Sequence, residues 1–178
     1  MPETTQSAEI ARVAETTRSA RIDVTKVAPE AYQAMGGITK YLRDSGLEPS
    51  LLNLIYMRSS QINGCAYCLD MHSKDARAAG ETEQCLYELN AWRETPFYTD
   101  REPAALAWTE AVTPVSQGHV PDEVYELARK QFSEKEIVGL TMAVVGINAW
   151  NRIAISLRAV PGTYQPVSHT KAAAPRAH

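Results

Sequence analysis

The chain has 178 residues, of which 44% are hydrophobic and 22% are charged, and its formal net charge is −3 at pH 7. This length and composition predict one soluble globular domain with a hydrophobic core. The small negative charge, without a basic stripe, argues against nucleic acid as a main partner. The polar N-terminus does not resemble a signal peptide, and three cysteines are not the disulfide scaffold of a secreted domain, so we expect a cytoplasmic protein.

The two ends of the chain are predicted to lie outside the folded domain. Residues 1–20 are expected to form a flexible arm with a weak helical stretch from Ser7 to Thr17, and packing of this arm on a neighbouring subunit is the alternative. Residues 21–162 form the predicted helical domain. Residues 163–178 are rich in Ala, Pro and His and are expected to fray.

Every predicted element between these ends is a helix. Proline near a helix start and glycine after a helix end mark most boundaries, and Thr99–Glu102 and Ser133–Glu136 have capping-box spacing. No segment alternates between apolar and polar residues with a period of two, so we expect an all-α, compact helical bundle. The first helix runs from Pro29 to before Gly46, and later ones cover residues 49–62, 65–79, 83–93, 99–112, 121–130 and 133–157.

The last predicted helix contains the longest apolar stretch, Ile137–Trp150. Apolar residues cover most of its circumference, which predicts burial on nearly all sides. The stretch has about fourteen residues and includes Gly139 and Gly146, whereas a bilayer requires about 20, so no membrane span is expected. Asn148 and Asn151 interrupt the apolar surface and are expected to hydrogen-bond neighbouring helices or line a pocket.

The motif helix begins with Cys65-Ala66-Tyr67-Cys68, and His72 follows one turn after the second cysteine. In a helix, Cys65, Cys68 and His72 share one face. Asn63-Gly64 predicts a turn before them, so both cysteines lie at a helix N-terminus, which favours a thiolate. The spacing permits a disulfide, and His72 is placed to carry a proton. These groups indicate thiol redox chemistry.

Two other interpretations of the cysteine pair stay open. A structural zinc site requires four ligands, but the only other cysteine is Cys85, and His119 and His169 are isolated in the sequence. The pair could instead be buried and inert, as cysteines often are. Cys85 stands alone in an amphipathic helix and is expected to pack in the core.

The segment around the motif carries a family resemblance. Residues 60–72, Ser-Gln-Ile-Asn-Gly-Cys-Ala-Tyr-Cys-Leu-Asp-Met-His, resemble the core of the alkyl hydroperoxidase D group of the carboxymuconolactone decarboxylase superfamily. The resemblance implies an all-α fold of the alkyl hydroperoxidase D-like type, assembled as a homo-oligomer, either a trimer or a hexamer. It covers about residues 20–160 and also includes Lys74–Arg77, Gly80-Glu81, Leu86-Tyr87, Ala91–Arg93, Ala105–Glu110 and Asn148–Arg152.

The resemblance also implies a division of labour within the motif. In this group the second cysteine reduces a hydroperoxide and becomes a sulfenic acid, and the first cysteine resolves it to a disulfide. Cys68 is then the peroxidatic residue, and His72 is the proton relay. Cys65 is the resolving residue and is expected to be open to a bulky partner. A dithiol reductant, lipoylated in the best-known members, reduces the Cys65–Cys68 disulfide. The implied activity is that of a peroxiredoxin-type antioxidant enzyme without a metal or organic cofactor.

One departure from the family pattern concerns the proton relay. The family has a glutamate twelve positions before the first cysteine, where this chain has Asn53, and Tyr67 stands where some members have histidine. Asparagine does not take up a proton at neutral pH. Positioned acid–base catalysis contributes ~10² to 10⁴ in rate, so we expect weak peroxidase activity. Glu110 is a candidate substitute for the glutamate, and Arg58 and Gln61 are candidates for orienting substrate or bracing the helix turn.

Two other functions are compatible with the same family. A lactone-processing decarboxylase or isomerase does not depend on a cysteine pair, so the intact pair counts against it. A non-catalytic redox sensor, whose disulfide alters assembly, is compatible with Asn53 in place of the glutamate.

Overall fold

The structure of the protein is a computed structural model that describes residues 19–166. Within this range it contains helices and no strands, which confirms the all-α prediction. Residues 1–18 of the arm expected at 1–20, and residues 167–178 of the tail expected at 163–178, lie outside the described residues. Helices α1 to α8 comprise Val24–Val27, Pro29–Arg43, Pro49–Asn63, Ala66–Ala78, Glu83–Tyr87, Arg101–Val112, Asp122–Gln131 and Glu134–Leu157, with 3-10 segments at Leu89–Glu94 and Val115–Gln117.

The predicted boundary residues set the ends of the helices around the motif. Pro49 lies in the first turn of α3, and Gly64 ends this helix in the left-handed region with φ of +68°, which glycine adopts without strain. Gly80, with φ of +94°, follows the end of α4. The predicted capping box is confirmed at the start of α8, where the Ser133 hydroxyl accepts from the Glu136 N–H and the Glu136 carboxylate accepts from the Ser133 N–H.

The helix predicted over residues 83–93 is wrong as one continuous element. Helix α5 ends at Tyr87, and the 3-10 segment that follows is broken at Ala91, where φ is −113° and ψ is 22°. The break turns Trp92 inward, so that its side chain is buried and its indole N–H donates to Glu110 at 3.0 Å. The helix is interrupted here because the Trp92 ring and its indole nitrogen both gain buried partners.

The start of α6 also differs from the sequence prediction. At the start of α6 only half of the expected capping box forms: the Glu102 carboxylate accepts from the Thr99 N–H at 2.8 Å, while Asp100 is the N-cap residue. Helix α8 ends at Leu157, as predicted, and Arg158 follows it in a left-handed conformation with φ of +54°.

Helix α3 is the centre of the fold, because it packs against α4, α6 and α8. Its Leu51 and Ile55 side chains lie in the main core cluster together with Leu140 and Val144 of α8, and all four are buried. On its other side, Leu54 packs in a second cluster beneath α4, α5 and α6. The motif helix α4 therefore starts from a rigid support.

Helix α8 has 24 residues and, by length and mean hydropathy alone, could cross a membrane. More than half of its most apolar window, 56%, is buried inside the protein, as expected of a core helix. The prediction of burial on nearly all sides is wrong for one side. Val138, Val145 and Ile155 are 57%, 44% and 46% exposed, because no other helix of the described chain covers this stripe.

Substitutions at Gly146 test how closely α2 and α8 approach each other. A Cβ atom at Gly146 would lie 3.0 Å from Cγ2 of Ile38, whereas a Cβ atom at Gly37 of α2 would meet no heavy atom within 4 Å. We expect Gly146→Leu to lower the free energy of unfolding by about 1–3 kcal/mol through overpacking. The control Gly37→Leu is expected to raise it by up to about 1 kcal/mol, because it replaces a flexible helical glycine in open space. Urea denaturation followed by circular dichroism measures both, and equal stability of the two variants would contradict the close approach.

Candidate active site

The two cysteines of the motif occupy the start of helix α4, as predicted. Cys65 is the N-cap residue, with φ of −87° and ψ of 94°, and Cys68 lies in the first turn. The backbone N–H of Cys65 donates to the carbonyl of Ser60 at 2.9 Å, which ties the start of α4 to the last turn of α3. The turn at Gly64 thereby places both sulfur atoms where backbone N–H groups have no helical partner.

Both motif thiols are reduced and buried between α4 and α8. Cys65 is 1% exposed and Cys68 is 2% exposed, and both pack against Ile147 and Ala154 of α8. The expectation that Cys65 is open to a bulky partner is therefore wrong for the reduced state. A partner must reach these sulfur atoms through a cavity or after a movement of the segments that cover them.

Hydrogen bonding shifts the pKa values of the two thiols in opposite directions. The Cys68 thiol donates a hydrogen bond to the Cys65 sulfur, and together with backbone N–H groups and Asn151 this outweighs burial and lowers the pKa of Cys65 to about 7. The same hydrogen bond, with burial and the nearby charge on Cys65, raises the pKa of Cys68. When the pair loses one proton, the negative charge therefore lies on Cys65 and the remaining proton on Cys68.

His72 lies one helical turn after Cys68, in a largely apolar environment. Its side chain is 12% exposed, and burial lowers its pKa to about 4, so the imidazole is neutral at pH 7. Its ring packs on that of Tyr56, with centroids 4.9 Å apart. On the other side, Nδ1 of His72 lies 4.0 Å from a carboxylate oxygen of Asp75.

A cavity of about 540 Å³ opens beside Cys68 and His72. Tyr67 also lines it, whereas Cys65 is not among its described lining residues. Residues 20–25 and 157–163 contribute to the wall, and the backbone N–H of Arg21 joins these two segments by donating to the carbonyl of Leu157 at 2.8 Å. Among the described lining residues there is no lysine or arginine, and the other large side chains that line it include Tyr32, Ile38, Tyr56, Met71, Ile147, Trp150 and Ile153.

Buried amides fix the motif turn against α8. The side-chain nitrogen of Asn63 donates to Asn148 at 3.0 Å and to Asn151 at 2.8 Å, and Asn151 donates to the Ser60 hydroxyl at 3.0 Å. Asn151 is 1% exposed and also lowers the pKa of both motif thiols. The prediction that Asn148 and Asn151 hydrogen-bond neighbouring helices is confirmed.

Three of the predicted site residues form a separate ionic cluster. Arg58 donates to Glu110 at 2.7 Å and to Gln61 at 3.0 Å, and Glu110 also pairs with Arg93 and accepts from Trp92. Burial raises the pKa of Glu110, but hydrogen bonds from Trp92, Arg93 and Arg58 outweigh this effect and lower it. None of these five residues is among the described lining of the cavity. The contacts favour a bracing role for Arg58 and Gln61.

Asn53 and Tyr67 differ in their relation to the cavity. Asn53 is half-buried on α3 and is not among the described lining residues, whereas Tyr67 is half-buried and lines the cavity. Burial raises the pKa of Tyr67, so its phenol is protonated at neutral pH. The relay roles considered for Asn53, Tyr67 and Glu110 stay predictions.

Cys85 belongs to a different part of the core. It is fully buried and packs with Leu86, Leu89 and Trp92 in the second core cluster, as expected for a packing residue. Within residues 19–166, no group of three or more His, Cys, Asp and Glu side chains is arranged to hold a metal ion.

Three site residues were missed in the sequence: Tyr56, Asp75 and Tyr164. Tyr56 is one helical turn after Asn53, and Asp75 is three residues after His72, so both could have been found from helical periodicity. Tyr164 lies in the segment expected to fray, and no local pattern indicates its contact. The expectation of fraying is wrong for this described part, because the Tyr164 hydroxyl donates to Asp75 at 2.7 Å and its carbonyl accepts from Lys74 at 3.1 Å.

Comparison with known proteins identifies relatives of this chain. The model of the carboxymuconolactone decarboxylase family matches residues 28–111. An uncharacterized protein of Bacillus subtilis strain 168, YdfG, is 42% identical over 139 residues, which are 78% of this chain and 95% of that protein. This degree of identity and coverage places the two chains in one family.

Solved structures share the fold. A protein of unknown function from Agrobacterium tumefaciens, described as a candidate antioxidant defence protein AhpD, is 43% identical and matches with a TM-score of 0.76 over 84% of this chain and 99% of that chain. A debrominase is 23% identical and matches with a TM-score of 0.69 over 76% of this chain and 73% of its own, which indicates a shared fold only. The chain belongs to the carboxymuconolactone decarboxylase family and has the helical fold of its AhpD-like relatives.

Proposed function

We propose that this protein is a thiol-dependent peroxidase that reduces apolar organic hydroperoxides through a dithiol–disulfide cycle of Cys65 and Cys68. The observation that carries the proposal is the reduced, hydrogen-bonded cysteine pair at a helix N-terminus, with Cys68 and His72 bordering one cavity. Membership of the family and the likeness to the Agrobacterium protein support it.

The first chemical step reduces the hydroperoxide at Cys68. The Cys68 sulfur attacks the terminal peroxide oxygen, an S–O bond forms, and the O–O bond breaks. His72 takes the thiol proton and delivers it to the departing alkoxide, so that an alcohol leaves and Cys68 becomes a sulfenic acid. We assign this step to Cys68 because this cysteine, unlike Cys65, lines the cavity.

The second step uses the acidity of Cys65. Its thiolate, favoured by a pKa of about 7, attacks the Cys68 sulfur, the S–O bond breaks, and the released hydroxide takes up a proton to leave as water. The product is the Cys65–Cys68 disulfide. An external dithiol, which we propose to be a lipoylated protein, reduces the disulfide and is itself oxidised.

The cavity defines the class of hydroperoxide. Its volume of about 540 Å³ falls within the range of small-molecule sites, and its walls are mainly aliphatic and aromatic. Asp23 is the only residue with a charged side chain among the described lining residues, because His72 is neutral at pH 7. A carboxylate would find no cationic partner there, and an unpaired buried charge is costly. The proposed substrates are therefore uncharged and apolar.

The exposed stripe formed by Val138, Val145 and Ile155 on α8 fits a surface that a second copy of the chain covers. We propose a cytoplasmic homo-oligomer, a trimer or a hexamer, without a metal or organic cofactor and without nucleic acid or membrane partners.

A redox sensor is the second candidate function. Both thiols are buried in the reduced state, and Asn53 stands where a proton-accepting glutamate would be expected. A sensor would oxidise slowly, whereas a peroxidase would oxidise much faster than free cysteine. A lactone-processing decarboxylase is a weaker candidate, because it leaves the paired, hydrogen-bonded thiols without a role.

The cysteine roles are tested with the reduced protein and cumene hydroperoxide in stopped-flow experiments. In a Cys85→Ala background we expect loss of both motif thiols, faster than for free cysteine. Cys68→Ser is expected to abolish the reaction. Cys65→Ser is expected to retain sulfenic acid formation, trapped by dimedone, without a disulfide. Thiol loss at the free-cysteine rate would favour the sensor, and full activity in Cys68→Ser would contradict the assignment.

The unequal acidity of the pair is tested by thiolate absorbance in the ultraviolet, again in the Cys85→Ala background. We expect a thiolate to appear with an apparent pKa of about 7, so that the thiolate population rises as the pH increases through neutrality. Cys68→Ala is expected to raise this pKa, because the S–H donor to Cys65 is lost, and Cys65→Ala is expected to remove the transition. An unchanged pKa in Cys68→Ala would show that the hydrogen bond does not govern the acidity of Cys65.

Substrate charge is tested with cumene hydroperoxide and its ring-carboxylated analogue. We expect the neutral compound to react at least about tenfold faster, because a difference of about 1.4 kcal/mol is tenfold and an unpaired carboxylate costs more than this. Ile153→Lys, which places a cation in the wall, is expected to narrow the difference. Hydrogen peroxide serves as the control, and equal rates for both organic peroxides would contradict an apolar substrate class.

A further inference from the structure

We propose that Asp75 is a positioning residue that holds the His72 imidazole in the tautomer required for proton transfer, and that Tyr164 orients the Asp75 carboxylate. This inference rests on the proposed function and supplies the acidic member of the relay that Asn53 cannot provide. It places that carboxylate on the motif helix itself instead of on α3.

The geometry on α4 aligns the three groups. Cys68, His72 and Asp75 follow one another at i, i+4 and i+7, which is one stripe of a helix. Nδ1 of His72 lies 4.0 Å from one carboxylate oxygen of Asp75, and the other oxygen accepts from the Tyr164 hydroxyl at 2.7 Å. The two carboxylate oxygens are thus directed at two different partners, and the side chain is 30% exposed.

This arrangement selects one tautomer of His72. A carboxylate beside Nδ1 favours a hydrogen on that nitrogen, which leaves the lone pair of Nε2 to accept the Cys68 proton. The distance of 4.0 Å is longer than a hydrogen bond, and catalytic hydrogen bonds are often long before substrate binds. When His72 becomes protonated during the reaction, the negative charge of Asp75 stabilises the imidazolium.

The other groups that face His72 do not compete for this role. From α3, Tyr56 packs on the imidazole, and burial raises its pKa to about 12, so it stays neutral. From the C-terminal segment, burial and Asp75 raise the pKa of Tyr164 to about 12 as well. From α8, Ile147 and Trp150 line the shared cavity and are uncharged. Asp75 is the carboxylate that lies against the imidazole in the described structure.

The segment that carries Tyr164 is fixed to the motif helix. Lys74 pairs with Asp70 at 2.9 Å and donates to the carbonyl of Tyr164 at 3.1 Å. Asp70 also accepts from the backbone N–H of Gly162 at 3.0 Å. Asp70 and Asp75 therefore both anchor the segment, but Asp75 alone of the two contacts His72. This difference supplies a matched control.

The test compares Asp75→Ala with Asp70→Ala in the full chain. Nitrogen-15 NMR of the imidazole reports which ring nitrogen of His72 carries the hydrogen, and it does so without any peroxidase assay. We expect Nδ1–H in the natural protein and in Asp70→Ala, and a shift towards Nε2–H in Asp75→Ala. Circular dichroism checks that each variant is folded.

The kinetic arm measures thiol oxidation by cumene hydroperoxide. We expect Asp75→Ala to slow it by about 10- to 100-fold, less than the ~10² to 10⁴ that a proton transfer contributes. Asp75→Glu is expected to restore part of the rate. Tyr164→Phe is expected to keep the Nδ1–H tautomer and to slow oxidation by only a few fold, because the carboxylate remains.

The outcomes separate this inference from the proposed function. An unchanged His72 tautomer in Asp75→Ala overturns the inference, whatever the rate. An equal loss of rate in Asp70→Ala and Asp75→Ala also overturns it, because anchoring of the segment would then explain both. If the thiols of the natural protein are oxidised no faster than free cysteine, the proposed function is contradicted. The tautomer measurement then still tests whether Asp75 positions His72.

Discussion

The hydrogen bonds from Asn63 to Asn148 and Asn151 are the interaction on which the site depends. They join the last turn of α3 to the centre of α8, and the motif helix begins immediately after this joint. Buried amides of this kind are stabilising only when their partners are in place, so the network specifies one position for the start of α4. The position of both sulfur atoms and the hydrogen bond between them follow from that position, as does the contact of Asn151 with the thiols.

Burial and hydrogen bonding act in opposite directions on the two thiols. Burial alone would raise the pKa of both, since it disfavours a thiolate. The two pKa values differ because Cys65 accepts hydrogen bonds from the Cys68 thiol and from backbone N–H groups, whereas Cys68 is the donor in the hydrogen bond between them. A buried pair can therefore keep one reactive thiolate without exposing it to solvent. The cysteine that faces the cavity is the protonated one, which makes proton transfer by His72 a required part of the proposed reaction.

Local sequence patterns predicted the parts of the site that neighbouring residues determine. The spacing of Cys65, Cys68 and His72 placed them on one helical face, and Gly64 gave the turn before them. Contacts between distant segments were not predictable: the hydrogen bond from Trp92 to Glu110 required the break at Ala91, which helical periodicity does not reveal. The contact of Tyr164 with Asp75 joins residues 89 positions apart, and the composition around Tyr164 suggested only an unstructured tail.

The joining of residues 20–25 and 157–163 by Arg21 and Leu157 has a practical consequence for work with this protein. These two segments form part of the wall of the cavity beside Cys68, so a shortened protein that lacked either of them would have a more open cavity. Rates of thiol oxidation measured on such a protein would report on the missing wall as well as on the chemistry, whereas a label on the exposed surface of α7 would leave the wall intact.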